Sequence, residues 1–282
     1  MRCGGGDPRE WEERGLRRGV GNAMAKSEQA ASVQAVVAGR PAESERAVVP
    51  KSLALLWGLE EPGGRGPKRG LTLARILDAA VEVADAEGYQ ALSMNRVARQ
   101  LGFTAMSLYR YVDSKQTLID LLLDWVIGEP PDIEPGATWR EGLRQWAVAE
   151  YLAIERHPWW LEIPLIGPPM GPNNMAWLEA GLSRIAATEI AQPLRLQLVL
   201  NLSFYVIGRM RIARGMLTDS VDDDDFADVM SQLVDPARYP NVIAAFATEH
   251  PSEDEIDWHR ADFEFGLDRL LDGYEHFIRT RR

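Results

Sequence analysis

One cysteine, Cys3, and four histidines in 282 residues leave no material for a disulfide framework or for a zinc or iron–sulfur site built on several cysteines. The expected setting is a reducing compartment, the cytoplasm. Long apolar runs are also missing. The longest, Leu194 to Gly208, is interrupted by Arg195, Gln197, Asn201 and Ser203, too short and too polar to span a bilayer. The first twenty residues carry basic charge without an apolar stretch, so they make no secretory signal. Positive charge is in deficit, with 31 Lys and Arg against 42 Asp and Glu and a net charge of -11. Spread evenly, that charge would repel a polyanion. It is not spread evenly: 26 of the acidic and 14 of the basic residues lie in 125–282, whereas 67–124 holds seven of each. The chain contains no GxSxG, no HExxH and no GxGxxG, so no catalytic residue, metal or cofactor is expected.

What is present is helical patterning. With 46% hydrophobic residues the chain can bury a sizeable core, and no alternating β-branched run bounded by turns appears, so the fold class is all-α. Residues 1–66 lack a sustained period and read as a disordered leader and basic linker; Met24, opening MAKSEQAASVQ, is a candidate natural start. Within this region Ser52–Gly58 reads as an apolar turn, and Gly63–Gly70 (GGRGPKRG) breaks any helix. Its Arg65, Lys68 and Arg69 suit a flexible arm on DNA or, equally, a solubilising linker.

From Thr72 the apolar residues Leu73, Ile76, Leu77, Ala80, Val81 and Ala84 recur at helical spacing until Gly88. A short helix from Ser93 buries Val97, Ala98 and Leu101 and stops at Gly102. Another, Thr104–Val112, turns Leu108, Tyr111 and Val112 inward, and a fourth follows Ser114. Two short helices joined by a glycine turn form a helix-turn-helix or an ordinary helical corner. The outward residues favour the first: Ala105, Met106 and Ser107 are small or slim enough to let a helix approach base edges. Thr104, Tyr109, Arg110 and Lys115 suit phosphates. Between Ser93 and Lys115 the basic residues Arg96, Arg99, Arg110 and Lys115 face one acid, Asp113, a positive patch in an acidic protein.

The run Leu71–Asp124 resembles the DNA-binding domain of the TetR family of transcriptional regulators, with Gly88, Ala98, Leu101, Gly102, Leu108, Tyr109, Tyr111 and Lys115 at the recurrent positions. Phe103 and Arg110 depart from the common pattern. By position, the resemblance assigns Thr104, Tyr109 and Lys115 to phosphate and Asn95, Ala105, Met106 and Ser107 to the bases, with Arg110 beside them. It implies a helix-turn-helix domain over 67–114 and a helical ligand-binding and dimerisation domain over 115–282. His157–Leu182 resembles, more weakly, the tetracycline-repressor-like C-terminal domain, without an equivalent of its drug-and-magnesium site.

In that second domain Thr138-Trp139-Arg140-Glu141 is a capping box, and helices are expected over Asn174–Thr188, Pro193–Arg214, around Phe226–Leu233, around Asn241–Thr248, and over Asp262–Arg279. Its aromatic and Met residues are core by default. The resemblance implies an effector pocket, for which Trp146, Trp160, Met175, Trp177 and Tyr205 are candidate walls and Arg144, Tyr151, Gln197 and Asn201 candidate polar anchors. The acidic run Asp222–Asp225 and the cluster around His250–His259 read as solvated loops rather than metal sites. The implied whole is a homodimer on a palindromic double-stranded DNA operator, a repressor released by a small-molecule effector. An activator, a ligand-independent regulator, or an enzyme using the C-terminal pocket with His157 as base are the alternatives.

Overall fold

Three of the N-terminal helices begin where a short polar side chain reaches forward to a free backbone amide. In the computed structural model, which describes residues 48–60, 70–132, 136–164, 168–218, 229, 232–246 and 258–281, Thr72 accepts from the Arg75 amide, Ser93 from Arg96 and Ser114 from Thr117, at 3.2, 3.2 and 3.0 Å. These caps open α2 (Leu73–Glu87), α3 (Met94–Leu101) and α5 (Lys115–Trp125). Gly102 ends α3 in the left-handed region at φ 74°, and the next amide, Phe103, returns to the Ala98 carbonyl at 2.9 Å. A residue with a Cβ would be strained there. That tight turn throws the chain straight into α4 (Ala105–Tyr109). Ile76, Leu77, Ala80, Val83, Val97, Leu108, Val112, Leu118 and Leu122 share the core beneath.

The described residues are all-helical, with no strand among them, and the compact unit runs from Pro50 to Arg282. One helix was not legible: α1 (Lys51–Leu56), read from sequence as an apolar turn, is a short helix with Ser52, Ala54 and Leu55 buried, packed on α5. The leader up to residue 47, the GGRGPKRG linker up to residue 69, the acidic run Asp222–Asp225 and most of the segments 226–233 and 250–259 lie outside the described residues.

The larger part comprises α6 (Trp139–Glu155), α7 (Pro172–Ile185), α8 (Gln192–Thr218), α9 (Pro240–Phe246) and α10 (Trp258–Thr280). The Thr138–Glu141 capping box is formed. His157-Pro158 ends α6, and a single 3-10 turn, Pro158–Glu162, follows. α7 starts two residues before the expected Asn174 because Pro172 occupies its first turn and because a carboxylate from α5, Asp124, caps it from outside. Asp124 accepts from the amides of Asn173 and Asn174 at 3.2 and 2.9 Å and from the Asn174 side chain at 2.6 Å. α7 lies close enough to α8 that a Cβ on Gly181 would come within 2.7 Å of Val199. Two α6 arginines run along α10: Arg140 reaches Asp272 at 2.6 Å, and Arg144 reaches Glu264 and Asp268 at 2.8 and 3.2 Å.

Candidate nucleic-acid interface

α4 presents a small, weakly polar surface because its large apolar residue, Leu108, is fully buried. Met106 is 75% exposed and Tyr109 46%; Asn95, Thr104, Arg110 and Lys115 are exposed, and Ala105 and Ser107 half-buried. All eight residues singled out for DNA contact thus keep surface on α3, α4 and the start of α5. Thr104 and Ser107 hydroxyls pair at 3.0 Å, the Ser107 amide donates to the Thr104 carbonyl at 3.0 Å, and the Thr104 side chain does not cap α4. Lys115, the first residue of α5, stands 5.9 Å over the Tyr89 ring.

Two details were hidden in the sequence. Arg96, counted there in the positive patch, bends back to Glu87 at 2.9 Å and to Gln100 at 3.1 Å, its hydrogen bond and charge holding the Glu87 carboxyl below its ordinary range. The positive charge facing outward therefore comes from Arg99, Arg110 and Lys115. Tyr111 spends its hydroxyl on the Leu71 carbonyl at 3.0 Å, fixing the end of the reading helix to the start of α2.

The C-terminal candidates are dispersed. Trp146, Trp160 and Trp177 are buried, and each indole N–H donates to a carbonyl: Trp177, Leu123 and Gly128, at 2.9, 3.2 and 2.9 Å. They are core. Met175 is half-buried, Arg144 is committed to the α10 acids, and Gln197 and Asn201 lie exposed on α8. Tyr205 donates to the Phe263 carbonyl at 2.8 Å. Of the nine, Tyr151 alone borders the cavity of about 280 Å3 between α6, α8 and α10, whose other walls include Leu161, Met210, Phe263, Arg209 and His259. Tyr151 and Phe263 face each other at 4.5 Å between ring centres.

Sequence reading passed over Glu150. It is buried between α6 and α8 with the Ser203 hydroxyl donating at 2.6 Å to one oxygen and nothing bonded to the other. Burial pushes its pKa up to about 7. His157, weighed as a base, instead pairs with Asp85 of α2 at 2.8 Å, and Trp159 donates to the same carboxylate at 2.6 Å.

α4 thus exposes Met106 and Tyr109 ahead of a helical part with its own cavity. Residues 76–122 match the bacterial regulatory proteins of the tetR family, and 130–278 match the tetracyclin repressor-like C-terminal domain. The chain belongs to the TetR family. It is similar to the HTH-type transcriptional repressor DrrR1 of Streptomyces coeruleorubidus, 36% identical over 256 residues, covering 87% of this chain and 92% of that one. It is also similar to apo ActR of Streptomyces coelicolor, with TM-score 0.63 and 25% identity over 78% of this chain and all of ActR. ActR in complex with actinorhodin aligns at TM-score 0.60 and 26% identity over 74% of this chain and 99% of that one. This TetR-family chain is a DNA-binding transcriptional regulator, not an enzyme. No helix among its described residues is long and apolar enough to cross a membrane.

Proposed function

We propose that this regulator is a homodimeric cytoplasmic repressor, released from a palindromic operator by a small organic effector. The observation that carries the reading is the outward face of α4 and its C-cap, where Met106, Tyr109 and Arg110 are exposed and Ala105 and Ser107 half-buried, over the buried core of α2, α3 and α5. One helix of five residues reads too few base pairs to specify a site. Two copies entering successive major grooves about 34 Å apart double the readout. Thr104, Tyr109 and Lys115 hold phosphate, and Asn95, Ala105, Met106 and Ser107 meet bases. The repressor sign rests on the likeness to DrrR1, and the effector on the likeness to ActR, which binds actinorhodin. In this chain the Tyr151–Phe263 wall and Met210 suit a flat apolar body, and His259 among the lining residues suits an acidic oxygen, whereas Arg209 is paired with Asp262. An effector that binds the wider-spaced state more tightly draws the population off DNA by no more than that difference in affinity.

The test is selection of bound sites from a random duplex pool at stated salt. A two-fold symmetric consensus is expected, with binding to it weakened by Tyr109→Ala and Lys115→Ala together and the salt dependence flattened by about one phosphate per lost contact. A pool that stays random, or a double variant that binds as well as the parent, contradicts the assigned face.

A further inference from the structure

α1 and the turn after it precede both family matches, which span 76–122 and 130–278, yet they touch the protein at three places that matter for reading DNA. Lys51 Nζ lies 3.2 Å from the Asp113 carboxylate, in the turn between α4 and α5. Ser52, Ala54 and Leu55 are buried beside α5. Trp57 donates its indole N–H to the Met170 carbonyl at 2.9 Å, just ahead of α7. A helix of six residues has no stability of its own, so α1 exists because it is docked. The seat is not a solid core: a cavity of about 320 Å3 remains between α1, α5 and the stretch before α7, bordered by Leu53, Leu56, Asp120, Leu123, Pro169 and Met170.

The same stretch is where α5 meets the C-terminal domain through the Asp124 cap on α7. Asp113 itself is doubly held, by the Thr117 hydroxyl at 2.7 Å and by Lys51, and these bonds keep its carboxyl below the usual range. The Lys51–Asp113 pair is nearly half exposed, so it contributes little to stability. Its effect is geometric: it fixes the turn on which α4 ends. We infer that residues 51–57 are a strap that positions the reading helix against the C-terminal domain, with Lys51, Leu55 and Trp57 as its positioning residues. The strap rests on the regulator reading above. It ties the turn after α4 to the carbonyl before α7, so that the angle of α4 and the spacing between paired α4 helices are set together.

The experiment uses the full-length chain and a duplex selected by the unaltered protein, together with the same duplex carrying one extra base pair between half-sites. Trp57→Phe keeps the ring and removes the donor; Leu55→Ala loosens the seat; Lys51→Met removes the cation and Lys51→Arg restores it. The expected result is about a tenfold loss of affinity on the selected duplex for the first three, a size typical of coupling between sites, with recovery in Lys51→Arg. The penalty for the extra base pair shrinks in the same variants, and the salt slope stays unchanged. Affinity within twofold of the parent in Trp57→Phe and Leu55→Ala, or an equal loss on both duplexes, overturns the strap. A salt slope lowered by Lys51→Met would make Lys51 a phosphate contact and overturn it too. If the unaltered protein selects no duplex at all, it is the regulator reading that falls.

Discussion

Glu150 sits in the core with half of its hydrogen-bonding capacity unmet, and it makes stability depend on pH. Its pKa rises from 4.5 to about 7 on folding, so the native state favours the protonated acid. The resulting stability is full below about pH 4.5 and is lost as the pH rises through 7. The difference amounts to about 3 kcal/mol between those limits. Glu150→Gln keeps an acceptor for Ser203 and cannot ionise. Melting temperature should therefore rise by several degrees at pH 8 and barely move at pH 5; equal shifts at both would rule out ionisation as the cause. The sequence did contain the signal. Glu150 lies three residues after Ala147 and four before Ile154, on the same face as Leu143, Trp146 and Tyr151, so an acid stood on a stripe already read as buried. Asp124 gave no such signal, because its partners Asn173 and Asn174 are some fifty residues away.

Between elements, the capping residues separate stability from recognition. Ser93 Oγ caps α3, so Ser93→Ala should lower stability by about 1 kcal/mol in denaturant melts and leave operator contacts in place. Thr104 makes no cap on α4, so Thr104→Ala should cost little in the melt and weaken operator binding. The reverse pattern would mean that Thr104 is structural. Local signals of this kind were legible: Thr72, Ser93, Ser114 and Thr138 open helices, and Gly88 and Gly102 close them. The exposed face of α4 followed from them, since burying Leu108 and Val112 decides which residues are left outside. α1 was not legible, because six residues span too few turns to show a period. Of the residues bordering the proposed effector cavity, Tyr151 alone was singled out from sequence. Which tryptophans are core depends on distant carbonyls that accept their indole N–H groups, and the partners of Arg144 lie 120 or more residues downstream. Local pattern carries none of that.

At the scale of the whole molecule, α8 and α10 carry exposed apolar surface. α8 is about 40 Å long and apolar on opposite sides: Val199, Leu202, Val206 and Met210 are buried, while Leu196, Leu200, Phe204 and Ile212 are exposed. The exposed set repeats every four residues from 196 to 204, a continuous ridge, and Phe265 on α10 is 63% exposed. A helix hydrophobic all round is normally covered, and an exposed apolar ridge suits the pairing proposed above. Gln197 and Asn201, candidate pocket anchors by sequence, lie exposed on the same helix and on the proposed dimer would stand close to the partner. Phe204→Glu combined with Phe265→Glu places charges where two copies of the ridge would meet, at positions largely exposed in one chain, where the Phe265 ring lies under the Arg269 guanidinium. Light scattering should then return a monomer that keeps the parent's helical circular dichroism. Operator affinity should fall by two orders of magnitude or more, because each monomer retains one half-site's contacts and loses the second set that pairing supplies. A double variant that remains dimeric, or one that is monomeric yet binds the full operator as tightly as the parent, would show that α8 and α10 do not set the pairing on which the spacing of the reading helices depends.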